Sequence, residues 1–151
     1  MTKEWGPCTW YLFHTLAEKV KEDSFHIIKD GLISLIKMIC NNLPCPECAS
    51  HAQYKMGTLN VNSIRNKRDL QLMLLSFHND VNQRTGKPLF TEQQLDDKYK
   101  KANITQIIQY FFQIWQKPNP NPKLLTNSFH KNQILKEFSN WWKTNYSHFV
   151  I

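Results

Sequence analysis

Two cysteines spaced as Cys45-Pro46-Glu47-Cys48 are the residues of this sequence best suited to chemistry. A C-x-x-C pair opening a helix meets unpaired backbone N–H groups and the positive end of the helix dipole, which favour a thiolate and speed thiol–disulfide exchange near neutral pH. Cys45, at the start of the segment, is placed to exchange with incoming dithiols or disulfides. Cys48, one turn deeper, is placed to face whatever accepts the electrons. The same region also suits a metal, because Cys40, Cys45, Cys48 and His51 supply four zinc ligands within twelve residues. A structural zinc site usually staples a loop or ribbon, whereas these residues straddle a helix-to-helix junction. The residues alone leave both readings open, and His51 stands between orienting the cysteines and simply facing solvent.

The elements that must hold this pair are helical. Only four glycines occur, and apolar residues recur at helical rather than alternating spacing, so the fold class is all-α. A first helix is expected from Pro7 to about Lys21, with Trp10, Phe13, Ala17 and Val20 on one face. A second, capped near Asp23 or Ser24, carries Ile28, Leu32, Leu35 and Ile39 and ends at about Asn42. The third begins at the cysteine pair and stops near Gly57; the fourth runs from Lys67 to Thr85 on Leu70, Leu74, Phe77 and Val81, ended by Gly86 and Pro88. Thr91-Glu92-Gln93-Gln94 reads as a capping box opening a shorter fifth helix. Short connections favour antiparallel neighbours and therefore a four-helix bundle with the fifth helix packed across it.

Ile107, Ile108, Phe111, Phe112 and Trp115 mark a sixth helical segment closing a domain expected over residues 1–116. Lys117-Pro118-Asn119-Pro120-Asn121-Pro122 then forms an extended spacer. In the C-terminal extension, 123–151, Ile134, Leu135, Phe138, Trp141 and Trp142 make one apolar stripe on a segment too small to fold alone, which must dock on the bundle or on a second subunit.

The chain has 151 residues and is 41% apolar, enough for one packed core. Nineteen Lys and Arg against twelve Asp and Glu give +7, suited to an anionic ligand or partner. The basic residues are scattered and no base-reading motif occurs, which argues against nucleic acid. No apolar run approaches the roughly 20 residues of a membrane span, and Met1-Thr2-Lys3-Glu4-Trp5 lacks a signal-peptide core, so the chain reads as soluble and unexported. Four cysteines in such a chain point to redox or metal chemistry before a structural disulfide framework.

Three further segments accompany the cysteine pair: Trp5-Gly6-Pro7-Cys8-Thr9-Trp10-Tyr11-Leu12-Phe13-His14, Leu43-Pro44, and His78-Asn79-Asp80-Val81-Asn82-Gln83-Arg84-Thr85-Gly86-Lys87-Pro88. In this order and spacing the chain resembles the Erv/ALR family of FAD-linked sulfhydryl oxidases from Trp5 to about Tyr99. It looks closest to the compact forms of large DNA viruses, which share the Trp-Gly-Pro opening and a His-Ala like His51-Ala52. The resemblance implies a helical bundle holding FAD at its mouth, with the flavin ring beside Cys48. Carried over by position, Gly6, Trp10 and His14 line the flavin; His78, Asn79 and Asn82 hold adenine and ribose; Arg84 and Lys87 lie near the phosphates or ribose. His78 and Asn82, four apart, share a helix face, and cations suit a pyrophosphate.

The implied activity is a flavin-dependent thiol oxidase with Cys45 and Cys48 as catalytic residues. Electrons pass from protein dithiols, such as a thioredoxin-like carrier, through the pair to FAD and then to O2, which leaves as H2O2. A homodimer working in the cytoplasm of an infected host cell, or in a virion, is implied with it. The rival reading is a zinc-stabilised helical interaction module on Cys40, Cys45, Cys48 and His51. One departure stands out: many family members carry a cysteine just after the Lys-Pro motif, and Pro88-Leu89-Phe90-Thr91-Glu92 offers none, so stability must rest on packing. Cys8 and Cys40 come together in the antiparallel reading, leaving a disulfide, a relay thiol or buried free thiols; the last is favoured.

Overall fold

The computed structural model describes residues 4–117 and 125–151, the side chains of the second stretch from 130 onward. Its helices are α1 (Trp5–Lys19), α2 (Phe25–Cys40), α3 (Pro46–Gly57), α4 (Lys67–Arg84), α5 (Glu92–Lys100), α6 (Ile104–Gln116) and α7 (Leu125–Asn145). Single turns of 3-10 helix precede α2 and α4 and follow α7. The all-α expectation is met. Apart from Lys117, the Pro/Asn spacer lies outside the described residues.

α1 is the hub, packing on α4, α5 and α6. Cys8, Leu12, Leu16 and Ala17 repeat at helical spacing and are fully buried, the pattern that makes a core-facing helix. The helix starts at Trp5 rather than Pro7, because proline needs no N–H partner anywhere in a first turn. Against α1 lie Phe111 and Trp115 of α6, stacked at 4.9 Å and both fully buried. The Trp115 indole N–H donates to Thr9 Oγ1 at 3.3 Å, tying the helices by a polar contact inside the core.

The C-terminal extension docks on this same bundle, against α2 and α6. Phe138 is fully buried and meets Phe111 and Phe112 at 5.7 and 5.3 Å. Trp141 approaches α2 at Gly31, where a Cβ would lie 3.0 Å from its indole nitrogen. Beyond α7, Val150 N–H donates to the Lys19 carbonyl at 2.7 Å and Lys21 N–H to the His148 carbonyl at 2.8 Å, forming an antiparallel bridge between Val20 and Phe149. The Lys19 carbonyl at the end of α1 thereby gains a partner that its own helix cannot supply.

Candidate active site

A cavity of about 470 Å³ opens among α1, the end of α2, α3, α4, α5 and the loops that join α2 to α3 and α4 to α5. That volume falls within the roughly 300–1,000 Å³ usual for ligand sites. Of the positions expected at a cofactor site, Gly6, Trp10, His78, Asn82, Arg84 and Lys87 line it together with Cys48. His14 and Asn79 do not line it.

The cysteines are set by the start of α3. Cys45 is its N-cap, with Pro46 in the first turn, and its Sγ accepts the Cys48 backbone N–H at 3.3 Å. Both sulfurs are half-buried free thiols, and of the two only Cys48 borders the cavity. Burial first, then the neighbouring Cys45, push the Cys48 thiol up to about 11, with Arg84 pulling the other way. Deep-set Cys48 is therefore hard to ionise while its partner is a thiol, and a positive charge is already stationed to help. Cys8 and Cys40 are buried free thiols, both pushed up to about 12, chiefly by burial. Cys40 also borders the cavity.

Trp10 and His78 stack face to face, 4.1 Å apart and 6° from parallel, and Phe77 meets Trp10 edge-on at 5.0 Å. His14 lies behind them, 2% exposed, with its Nε2 2.9 Å from His78 Nδ1. One ring must donate. His14 Nδ1 is buried without a partner among the described residues, and a bare lone pair is less costly there than a stranded N–H. That assigns the donated proton to His14 Nε2 and leaves the His78 proton on Nε2.

Burial, then the charges of His78 and Lys98, lower His14 to about 3; burial, then Lys98 and Lys87, lower His78 to about 4. Both values lie below the ordinary one of about 6.5, so between about pH 6.5 and 4 the unfolded chain takes up protons here that the folded chain refuses. This contribution is full above pH 6.5 and is lost as pH falls. Thermal melting between pH 7 and 4.5 should show a falling Tm, with a shallower fall for His78→Gln; parallel slopes would remove the pair from the acid response.

The end of α4 sets the cations. Gly86 has φ 74°, and Gly86 N–H to Gln83 O and Lys87 N–H to Asn82 O complete a Schellman cap that turns Lys87 back beside Arg84. Asn79 clamps the following loop: its amide donates to the Phe90 carbonyl and accepts the Phe90 N–H, each at 2.8 Å. Asn82, one turn on, donates to Asn79 Oδ1 at 3.4 Å and does reach the cavity.

A family model described as the Erv1 / Alr family matches residues 7–102. The chain belongs to the Erv1/Alr family. It is 30% identical over 102 residues to a protein named as an FAD-linked sulfhydryl oxidase in Invertebrate iridescent virus 6, covering 64% of this chain and 92% of that one. It is 29% identical over 106 residues to the FAD-linked sulfhydryl oxidase of African swine fever virus (isolate Warthog/Namibia/Wart80/1980), covering 70% and 87%. With the FAD-linked sulfhydryl oxidase ERV1 of Oryza sativa subsp. japonica the identity is 29% over 106 residues, covering 69% and 53%. No solved structure matches the chain.

The Erv1/Alr match begins within α1 and ends just after α5, so it contains the cavity wall apart from Trp5 and Gly6, while α6 and α7 lie beyond it. Among the described residues no three His, Cys, Asp or Glu side chains converge as a metal would require, so the zinc reading of Cys40, Cys45, Cys48 and His51 finds no support. His51 lines the cavity, lowered by burial and by Arg84 ahead of the opposing pull of Asp80. Sequence reasoning missed Tyr11, Leu43, Phe90, Lys98 and Tyr99, which also line it. Lys98 lies 4.4 Å from the Tyr11 ring centroid. The available signal was the adjacency of Lys98 to the core-facing pair Leu95 and Tyr99 on a capped amphipathic helix.

Proposed function

We propose that this chain is a flavin-dependent thiol oxidase that forms disulfide bonds in protein dithiols, with FAD in the 470 Å³ cavity and Cys48 against it. The observation that carries the reading is the position of Cys48 in the wall of a cavity that combines flat aromatic surface with cations. The residues fit the group: Trp10, His78 and Phe77 offer ring faces and edges, and Arg84, Lys87 and Lys98 offer charge to a pyrophosphate. Gly6 has no heavy atom within 4 Å of where its Cβ would be, so the α1 wall is open there. When bound, FAD supplies the two-electron acceptor that a dithiol needs and hands the electrons to O2, released as H2O2.

The remaining work belongs to the chain. A substrate thiolate attacks Cys45 Sγ of the oxidised pair, and Cys48 leaves toward Arg84, whose charge eases a thiolate in a half-buried place. A second substrate thiolate frees Cys45, and the pair is left reduced with Cys48 at the cavity. His14 fixes the His78 ring by their hydrogen bond, Asn79 fixes the loop carrying Lys87 and Phe90, and Asn82 offers its amide to the ligand. A thioredoxin-like carrier is the substrate we infer, a homodimer the assembly, and the cytoplasm of an infected cell or a virion the setting. No helix among the described residues is long and apolar enough to cross a membrane.

Purified protein supplied with FAD should turn yellow with a flavin absorbance band, retain it through gel filtration, and consume oxygen when dithiothreitol is added. Protein that stays colourless in excess FAD sinks the reading.

A further inference from the structure

Away from the cavity that holds Cys48, one buried charge lacks a counter-charge. Lys131, in the second turn of α7, is 6% exposed, and its ammonium donates to the Lys117 carbonyl at 3.2 Å. No ion pair to Lys131 forms among the described residues. The rest of the chain cannot supply one, since residues 1–3 and 118–129 contain no Asp or Glu. An ammonium buried in this way is costly unless an anion joins it, and burial already lowers its proton affinity below the usual lysine value.

Lys131 forms part of the wall of a second cavity, of about 270 Å³. Another part is the segment that carries the redox pair: Leu43 and Pro44 before Cys45, Pro46 and Ser50 after it. Leu43 also lines the larger cavity, so the cysteine-bearing segment borders both. Ser50 and Gln53 are exposed, which gives the second cavity a polar mouth, and Pro44 and Pro46, the chain neighbours of Cys45 on either side, line it. Because α7 lies beyond the family match at 7–102, this wall is an addition to the family core.

We propose that the second cavity is a substrate-recognition site in which the Lys131 ammonium takes a carboxylate of a protein dithiol while that substrate's cysteine is joined to Cys45. The inference rests on the thiol-oxidase reading. In the step it serves, the substrate thiolate forms a new S–S bond to Cys45 as the Cys45–Cys48 bond breaks, and Cys48 carries away the electron pair. Attack by the second substrate thiolate on the substrate's own bonded sulfur then releases Cys45 as a thiolate. The substrate ends oxidised and the enzyme pair reduced. A carboxylate seated on Lys131 holds the mixed disulfide in register and confers a preference for acidic sequences next to the reacting cysteine.

The test uses the full FAD-loaded chain and two dithiol peptides that differ only in Glu or Gln beside one cysteine. The Glu peptide should show a KM about tenfold lower, the worth of one charge-assisted hydrogen bond, with the difference carried by KM rather than kcat. Lys131→Met should bring the ratio of the two KM values to about one, as should Gln53→Glu, which places a carboxylate at the cavity and decides the matter if the first variant does not fold. Equal KM values for the parent chain, or a ratio that survives both substitutions, overturn the site. A parent chain that oxidises dithiothreitol without discriminating the peptides sinks this site alone, whereas failure to oxidise dithiothreitol sinks the oxidase reading and this site with it.

Discussion

Cys48→Ser is expected to keep FAD and lose thiol-dependent oxygen uptake by at least about a thousandfold, as when a reacting nucleophile is removed. The substitution changes one atom in the cavity wall, leaving Trp10, His78 and the cations where they are. What disappears is the second sulfur, and with it any disulfide for a substrate thiolate to attack. Cys45→Ser should fail equally on protein substrates, since its Sγ is the sulfur capped by the α3 N-terminus and placed away from the cavity. Cys8→Ala is the control: that thiol is fully buried, donates to the Trp5 carbonyl at 3.3 Å and does not border the cavity. Oxygen electrode traces with dithiothreitol, beside flavin absorbance of each variant, read both halves. Peroxide released at the parental rate by Cys48→Ser would end the assignment of that sulfur.

The helices were legible because each carries its own local instructions. Pro46 opens α3, Thr91 and Gln94 form the capping box of α5, with both reciprocal hydrogen bonds present, and Gly86 closes α4 in a positive-φ conformation. Ends blurred where the signal is permissive. α2 stops at Cys40, two residues short of the expected Asn42, and the Asn42 side chain instead turns back to the Met38 carbonyl.

The site was harder to read because helical periodicity gives a face and not a depth. His14 follows Trp10 by one turn and shares its face, yet His78 from α4 covers it, so it braces the wall from behind. Asn79 is one turn from Asn82, but its short side chain is taken by the backbone of Phe90 eleven residues on, a pairing that depends on how the loop returns. Lys98, Tyr99 and Tyr11 reach the cavity through the packing of α5 on α1; the amphipathic pattern of α5 sets Lys98 beside core-facing residues but does not encode which cavity it borders. The cysteine pair was legible for the opposite reason: the four residues Cys45 to Cys48 at one helix start contain the whole of its geometry.

Phe138→Ala should destabilise the whole protein by about 3–5 kcal/mol, the usual cost of emptying a buried phenylalanine site. Its ring is fully buried between Phe111 and Phe112 of α6, and Phe111 in turn stacks on Trp115, which reaches Thr9 of α1. The void therefore opens two contacts away from the helix that supplies Trp10 to the cavity. At this chain length such a loss corresponds to a drop in Tm on the order of 10 °C. If α7 were an appendage on a self-sufficient bundle, the variant would instead melt in two steps, the main one at the parental temperature with the flavin band intact until then. A single cooperative transition, shifted down and coincident by circular dichroism and flavin absorbance, follows if the extension supplies core to the unit that holds the site, with Val150 and Lys19 joining its far end to α1.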